Sequence, residues 1–211
     1  MQLLNLKCRT EGEKMSEDLR VTKTKQNIQS TFIRLLEDYS FQNITIKQLI
    51  CECQINRSTF YRNYEDKYDL IYKITGELLA QFQKAINPHF IIIDEKMENY
   101  EPYFVPLLNY FEKNRELLIL MNKQKLPVNI FNEMFASYSQ ALFQELTSYY
   151  HIHSEKLKMA DYYCQIVASN ILTAMKWWHL NNPQIDKDAL LKMMTLTVTN
   201  GIFSSMSAQF R

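Results

Sequence analysis

A chain of 211 residues, 46% hydrophobic, buries a sizeable core and suits one domain or a small domain on a larger one. Three scattered glycines, Gly12, Gly76 and Gly201, exclude a phosphate-cradling glycine loop; with five prolines they also leave too few tight turns for an all-β fold, so the expected class is all-α. The net charge of +1 singles out no partner, and no apolar run approaches the roughly 18 residues that span a bilayer.

Residues 1–18 read as a polar tail without the apolar region of a secretory signal, since acidic residues intrude by Asp18. Met15 is an alternative start, and a cytoplasmic location is the default expectation. A first helix is expected over 24–38, where Ile28, Phe32, Leu35 and Leu36 recur at three and four. Thr45 caps a short second helix carrying Ile46, Leu49 and Ile50, and a break falls at 53–55. Asn56, a strong cap residue, opens a third helix to about Arg62. Glu65 and Asp66 start a fourth that stops before Pro88, since acidic residues favour a helix N-terminus. Further helices are expected over 97–113, 115–122, 127–150, 154–181 and 186–207.

Cys8, Cys51, Cys53 and Cys164 lack zinc-finger spacing, and His151 and His153 do not share a helix face, so no metal site and no cofactor is expected. An enzyme would need a nucleophile with a base, paired metal ligands or a phosphate loop; none is spaced for the purpose, and an all-α enzyme is the remote alternative.

The informative stretch is ITIKQLICECQINRSTFYRNYEDKYDL, residues 44–70. Two short helices three residues apart, the second opening Asn-Arg-Ser-Thr, are what a DNA-reading helix-turn-helix requires. Between Arg20 and Lys67 eight basic residues face five acidic ones, a local excess of +3. Phe60 and Tyr64 read as core, and Asn56 as a cap at least. The helix at 154–181 is apolar nearly all round, from Tyr162 through Ile171 to Trp178, and has to be covered on more than one side. A homodimer explains this. Its interface is expected at Tyr163, Val167, Ile171, Trp178, Leu191, Met194, Val198 and Ile202, with Gly201 allowing close helix approach. Ten methionines and an aromatic-rich interior also suit an adaptable apolar pocket, for which Phe104, Met175, Trp177 and Trp178 are the candidates.

At residues 44–70 the pattern resembles the TetR/AcrR family. That family shows Ile-Thr-x-x-x-Ile-Ala, a turn, Val-Ser-x-x-Thr-Phe-Tyr-x-x-Phe, then Lys-x-x-Leu. Here those places hold Ile44, Thr45, Leu49, Ile50, Ile55, Asn56, Thr59, Phe60, Tyr61, Tyr64, Lys67 and Leu70, and the resemblance covers 21–82. ILTAMKWWHLNNPQIDKDALLKMM, residues 171–194, more loosely resembles the C-terminal domain of Gram-positive, Firmicutes-type members. One departure is chemical: the family's Ala-Gly turn is here Cys53-Gln54, and glutamine resists the left-handed backbone at a cost of roughly 1 kcal/mol.

The resemblance implies a three-helix DNA-binding domain over 19–82, its motif at about 45–64, and a helical effector-binding and dimerisation domain over 83–211. It implies that Thr45 and Lys47 touch phosphate and that Arg57, Ser58 and Thr59 face the groove, Arg57 matching guanine. It further implies that Tyr61, Arg62 and Lys67 grip backbone oxygens, with Arg20 and Lys23 as a basic arm. The partners would be a near-palindromic double-stranded operator, a second copy of the chain and a small apolar or aromatic effector. The expected function is a homodimeric repressor released by that effector. The alternative is the same scaffold controlled by a protein partner or by no ligand.

Overall fold

The computed structural model describes residues 2–92, 101–154 and 156–210, with side chains described for 19–92, 102–154, 156–197 and Gly201. Every regular element among them is helical: α1 Gln2–Asp38, α2 Ile46–Glu52, α3 Arg57–Asn63, α4 Lys67–Ala85, α5 Glu101–Lys113, α6 Arg115–Lys123, α7 Ile130–Tyr149, α8 Lys156–Asn181 and α9 Lys187–Phe210, with a 3-10 turn at Pro88–Ile91. No helix among the described residues is long and apolar enough to cross a membrane.

The chain divides into two compact units. The first comprises Met1–Ile74 with Gln124–Pro127, the second Thr75–Lys123 with Val128–Arg211. The division falls inside α4, earlier than the boundary expected after residue 82.

In the first unit α1 is far longer than the periodicity suggested. The stretch expected as a polar tail is helical from Gln2, since nothing between there and Thr24 interrupts a helix except Gly12, which a helix tolerates at about 1 kcal/mol. The apolar stripe of α1 is buried as expected: Ile28, Phe32, Leu35 and Leu36 lie at 0 to 3% exposure. Phe41 meets Phe32 edge-on, with ring centres 6.3 Å apart, and seals the end of α1. Leu49 from α2, Phe60 from α3 and Leu70 from α4 are buried in the same unit. Removing a side chain such as Phe60 costs about 3–5 kcal/mol.

Gln124 belongs to this unit although it follows α6. Its side-chain amide donates to the Leu36 carbonyl at 2.5 Å, and its oxygen lies 3.4 Å from the Phe41 N–H. These contacts satisfy groups that the end of α1 leaves open.

The second unit packs α7 closely against α8, with α5, α6 and α9 around them. Its interior is aromatic: Phe82, Phe104, Phe111 and Tyr138 are fully buried. The Phe82 ring sits edge-on to Tyr110 and to Tyr138. Among the described residues there, two buried polar atoms lack a partner, Tyr138 Oη and His179 Nδ1. α8 turns Cys164, Ala168, Ile171, Met175 and Trp178 inward, while Met159, Tyr162, Tyr163 and Ile166 are exposed.

α9 is broken at Gly201, where φ 73 and ψ 167 are reached comfortably by glycine alone. A methyl group placed on Gly201 meets nothing within 4 Å, so within this chain glycine is required there by the backbone break.

Candidate nucleic-acid interface

α2 begins where a cap is available. Thr45 holds an extended backbone, and its hydroxyl oxygen accepts from the Gln48 N–H at 3.1 Å. The helix ends at Cys53, and the chain reverses through Gln54 at φ 53. The turn therefore adopts the left-handed conformation that the family's glycine would adopt, carried here by a glutamine.

Two contacts hold this turn to α1: Asn27 Nδ2 donates to the Cys53 carbonyl at 2.9 Å, and Cys53 Sγ reaches back to the Asn27 carbonyl at 3.9 Å. Burial pushes the Cys53 thiol above its ordinary range, so it stays protonated. Cys51, two residues earlier, is exposed.

Asn56 caps α3 with an extended backbone at φ −86 and ψ 162. Its Oδ1 accepts from the Thr59 N–H, the Thr59 hydroxyl and the Ser58 hydroxyl, each at 2.8 Å. Phe60 anchors the helix inward at 0% exposure, which leaves Arg57, Ser58, Tyr61 and Arg62 exposed. Thr59 is half-buried. The Arg57 guanidinium lies over the Tyr61 ring, 5.4 Å from its centre. Thr45 and Lys47 are exposed at the start of α2, as are Arg20 and Lys23 on α1. The surface brought together at α2 and α3 is thus cationic, aromatic and hydroxyl-bearing.

Lys67 is placed differently from the expectation. Its ammonium donates to the carbonyls of Phe41, Gln42 and Ile44, each at 2.9 Å, and sits 4.9 Å from the centre of the Phe41 ring. An ammonium has three hydrogens, and all three are spent on this turn. Lys67 is a clamp between α4 and the turn before α2, not a free hand for phosphate.

Lys73 was missed from the sequence. It bridges Asp69 Oδ2 at 2.8 Å and the Asn63 carbonyl at 3.1 Å, tying the end of α3 to α4. The Asp69 carboxyl is held below its ordinary range, first by that hydrogen bond. The Asp-Lys spacing of four was the available signal.

The four residues expected to line an effector pocket do not form one lining. Trp177 is 38% exposed, whereas Phe104, Met175 and Trp178 are packed core, and the Trp178 indole N–H is spent on the Ile185 carbonyl at 2.9 Å. An open cavity of about 300 Å³ lies elsewhere in this unit, lined by Gln83, Ile86, Pro88, Ser137, Gln140, Ala141 and Gln144.

Of the residues expected at a dimer interface, Tyr163 is exposed and Val167 and Leu191 half-buried, while Ile171, Trp178 and Met194 lie in the core of their own unit. The side chains of Val198 and Ile202 lie outside the described residues.

Residues 98–200 match the TetR-type family model described as Transcriptional regulator C-terminal region. Among curated proteins, the HTH-type transcriptional regulator YxbF of Bacillus subtilis (strain 168) is 24% identical over 182 residues, 82% of this chain and 46% of YxbF. The chain therefore spans about half the length of this relative. Among solved structures, a TetR transcriptional regulator from Streptococcus agalactiae 2603V aligns with TM-score 0.57 and 24% identity, over 88% of this chain and 98% of that one. The dihydroxyacetone kinase operon activator DhaS aligns with TM-score 0.53 and 14% identity, over 84% of this chain and 93% of its own. At these identities the structures share the fold.

Proposed function

Because the chain belongs to the TetR family of transcriptional regulators, we propose that it is a homodimeric repressor, not an enzyme. In this reading it holds a near-palindromic DNA operator through α2 and α3 and releases it when a small apolar or aromatic effector binds the second unit. The observation that carries DNA binding is the first turn of α3. Asn56 caps it, Phe60 pins it inward, and Arg57, Ser58, Tyr61 and Arg62 stand exposed on a helix of the length that enters a major groove.

A homodimer is supported by α8. Met159, Tyr163, Ile166 and Trp177 fall at helical spacing along one side of it and are 59, 57, 52 and 38% exposed. Exposed apolar side chains of this size, aligned on one face of a helix, suit an interface. A two-fold pair of α3 helices then demands half-sites about 34–36 Å apart, or a multiple of that distance.

An effector is supported by Tyr138. Its hydroxyl is buried without a partner, its ring meets those of Phe82 and Phe90, and Phe90 in turn meets Phe104. An unsatisfied buried hydroxyl costs about 1–3 kcal/mol, which a ligand's acceptor would recover.

Selection from a randomised duplex pool tests the reading. A near-palindrome protected on both half-sites is expected, and a reporter driven from it should fall when the protein is expressed. An asymmetric single half-site refutes the two-fold reading. Candidate effectors titrated against free and DNA-bound protein must favour the free form by the factor with which they weaken DNA binding.

A further inference from the structure

The amide oxygen of Asn56 accepts hydrogen bonds and donates none, and the Thr59 N–H at 2.8 Å identifies which amide atom it is. Ser58 Oγ and Thr59 Oγ1 stand at the same 2.8 Å from it. A hydroxyl that close to a bare acceptor has to place its hydrogen between them, since otherwise lone pairs would face each other. Each hydroxyl has one hydrogen. Both have therefore spent their donor inside the cap. Thr59 is half-buried, while Ser58 is exposed and turns lone pairs alone to whatever docks on α3.

A free serine takes either a donor or an acceptor from a base edge. The Asn56 cap removes that freedom. We infer that Ser58 is a specificity-determining residue that accepts from an exocyclic amino group in the major groove, N4 of cytosine or N6 of adenine, and discriminates against guanine and thymine at that base; the inference rests on the DNA-binding reading above. Arg57, its neighbour, has donors and no acceptor, so adjacent side chains present opposite polarity. The half-site should accordingly carry guanine for Arg57 close to an amino-bearing base for Ser58.

The experiment uses the full chain. Duplexes are selected from a randomised pool, then each half-site position is varied through all four bases and affinities are compared at fixed salt. One position should favour adenine or cytosine over guanine and thymine by about three- to tenfold, the worth of one hydrogen bond. Ser58→Ala should flatten the preference at that position alone, and Ser58→Thr, which keeps the hydroxyl, should retain it. Asn56→Gly keeps most of the capping propensity but frees the Ser58 hydrogen, so guanine or thymine should gain there. Thermal melting confirms that each variant is folded.

A guanine or thymine preference erased by Ser58→Ala overturns the inference. So does an enriched operator with no position sensitive to residue 58, which leaves DNA binding itself intact. A pool that yields no enriched duplex overturns both.

Discussion

The Arg57 guanidinium rests over the Tyr61 ring, 5.4 Å from its centre, one turn along α3. Stacking of this kind contributes about 0.5–1 kcal/mol at an exposed site and holds the fork in place before DNA arrives. Arg57→Ala should weaken binding to the selected operator by about tenfold or more. Tyr61→Ala should weaken it less, and Tyr61→Phe less still if stacking is the main contribution. The double variant should fall short of the sum, because the two side chains act as a unit. Anisotropy titrations at fixed salt read this directly, and strictly additive losses would refute the coupling.

Gln54 holds φ 53 in the turn between α2 and α3. A side chain in this conformation costs about 1 kcal/mol or more, part of which glycine repays in unfolded-chain entropy. Gln54→Gly should therefore stabilise the protein by about 0.5–1 kcal/mol and raise the melting temperature by a few degrees. A lower melting temperature would mean that the glutamine side chain contributes more than the backbone strain removes.

The Lys67 ammonium is committed to three carbonyls. Lys67→Met keeps the stem and removes the donors, so it should destabilise the fold by about 1–3 kcal/mol. The slope of log affinity against log salt should not change, because no phosphate contact is lost. Lys47→Ala or Arg62→Ala, both at exposed positions, should each lower that slope by about one while leaving melting unchanged. A drop in salt slope for Lys67→Met would restore it as a phosphate ligand.

His179 exchanges hydrogen bonds with Arg115: Nε2 donates to the Arg115 carbonyl at 3.0 Å, and the guanidinium donates to the His179 carbonyl at 2.6 Å. The proton on Nε2 leaves Nδ1 bare and buried. Burial, chiefly, depresses the imidazole below its ordinary value of 6.5, and the Arg115 charge adds to this. A depressed folded value means the unfolded chain takes up the proton first. The stability contribution is thus fully present above about 6.5 and is lost as pH falls below it. Melting should drop more steeply between pH 7 and 5.5 in the native chain than in His179→Gln. Parallel profiles would exclude the histidine as the cause.

Tyr163 and Ile166 are exposed on α8, whereas Trp178 is buried in it. Ile166→Glu with Tyr163→Glu should yield a folded monomer by light scattering at micromolar concentration. Trp178→Ala should instead lower the melting temperature by leaving a cavity worth about 3–5 kcal/mol. A dimer that survives both glutamates would move the interface off this face.

The helix-turn-helix was legible because its signals are local. A cap at Thr45, a cap at Asn56 and apolar residues at helical spacing act within one or two turns of chain, and the structure places α2 and α3 within a residue of where those signals put them. Gln54 was legible too, since the conflict between its side chain and a left-handed turn is a property of the single residue.

What needed tertiary structure was any role set by a partner distant in sequence. Lys67 looks the same in the chain whether it meets a phosphate or three carbonyls; the turn at Phe41–Ile44, whose carbonyls converge on its ammonium, decided the matter. Gln124 lies between two helices of the second unit by sequence, yet hydrogen-bonds at the end of α1. On α8, hydrophobicity alone marked Ile171, Trp178 and Tyr163 as equals. Burial separated them, because α7 packs against one side of the helix and leaves the Tyr163 side open. Periodicity records which residues avoid water, but which neighbour shields them is a property of the three-dimensional packing.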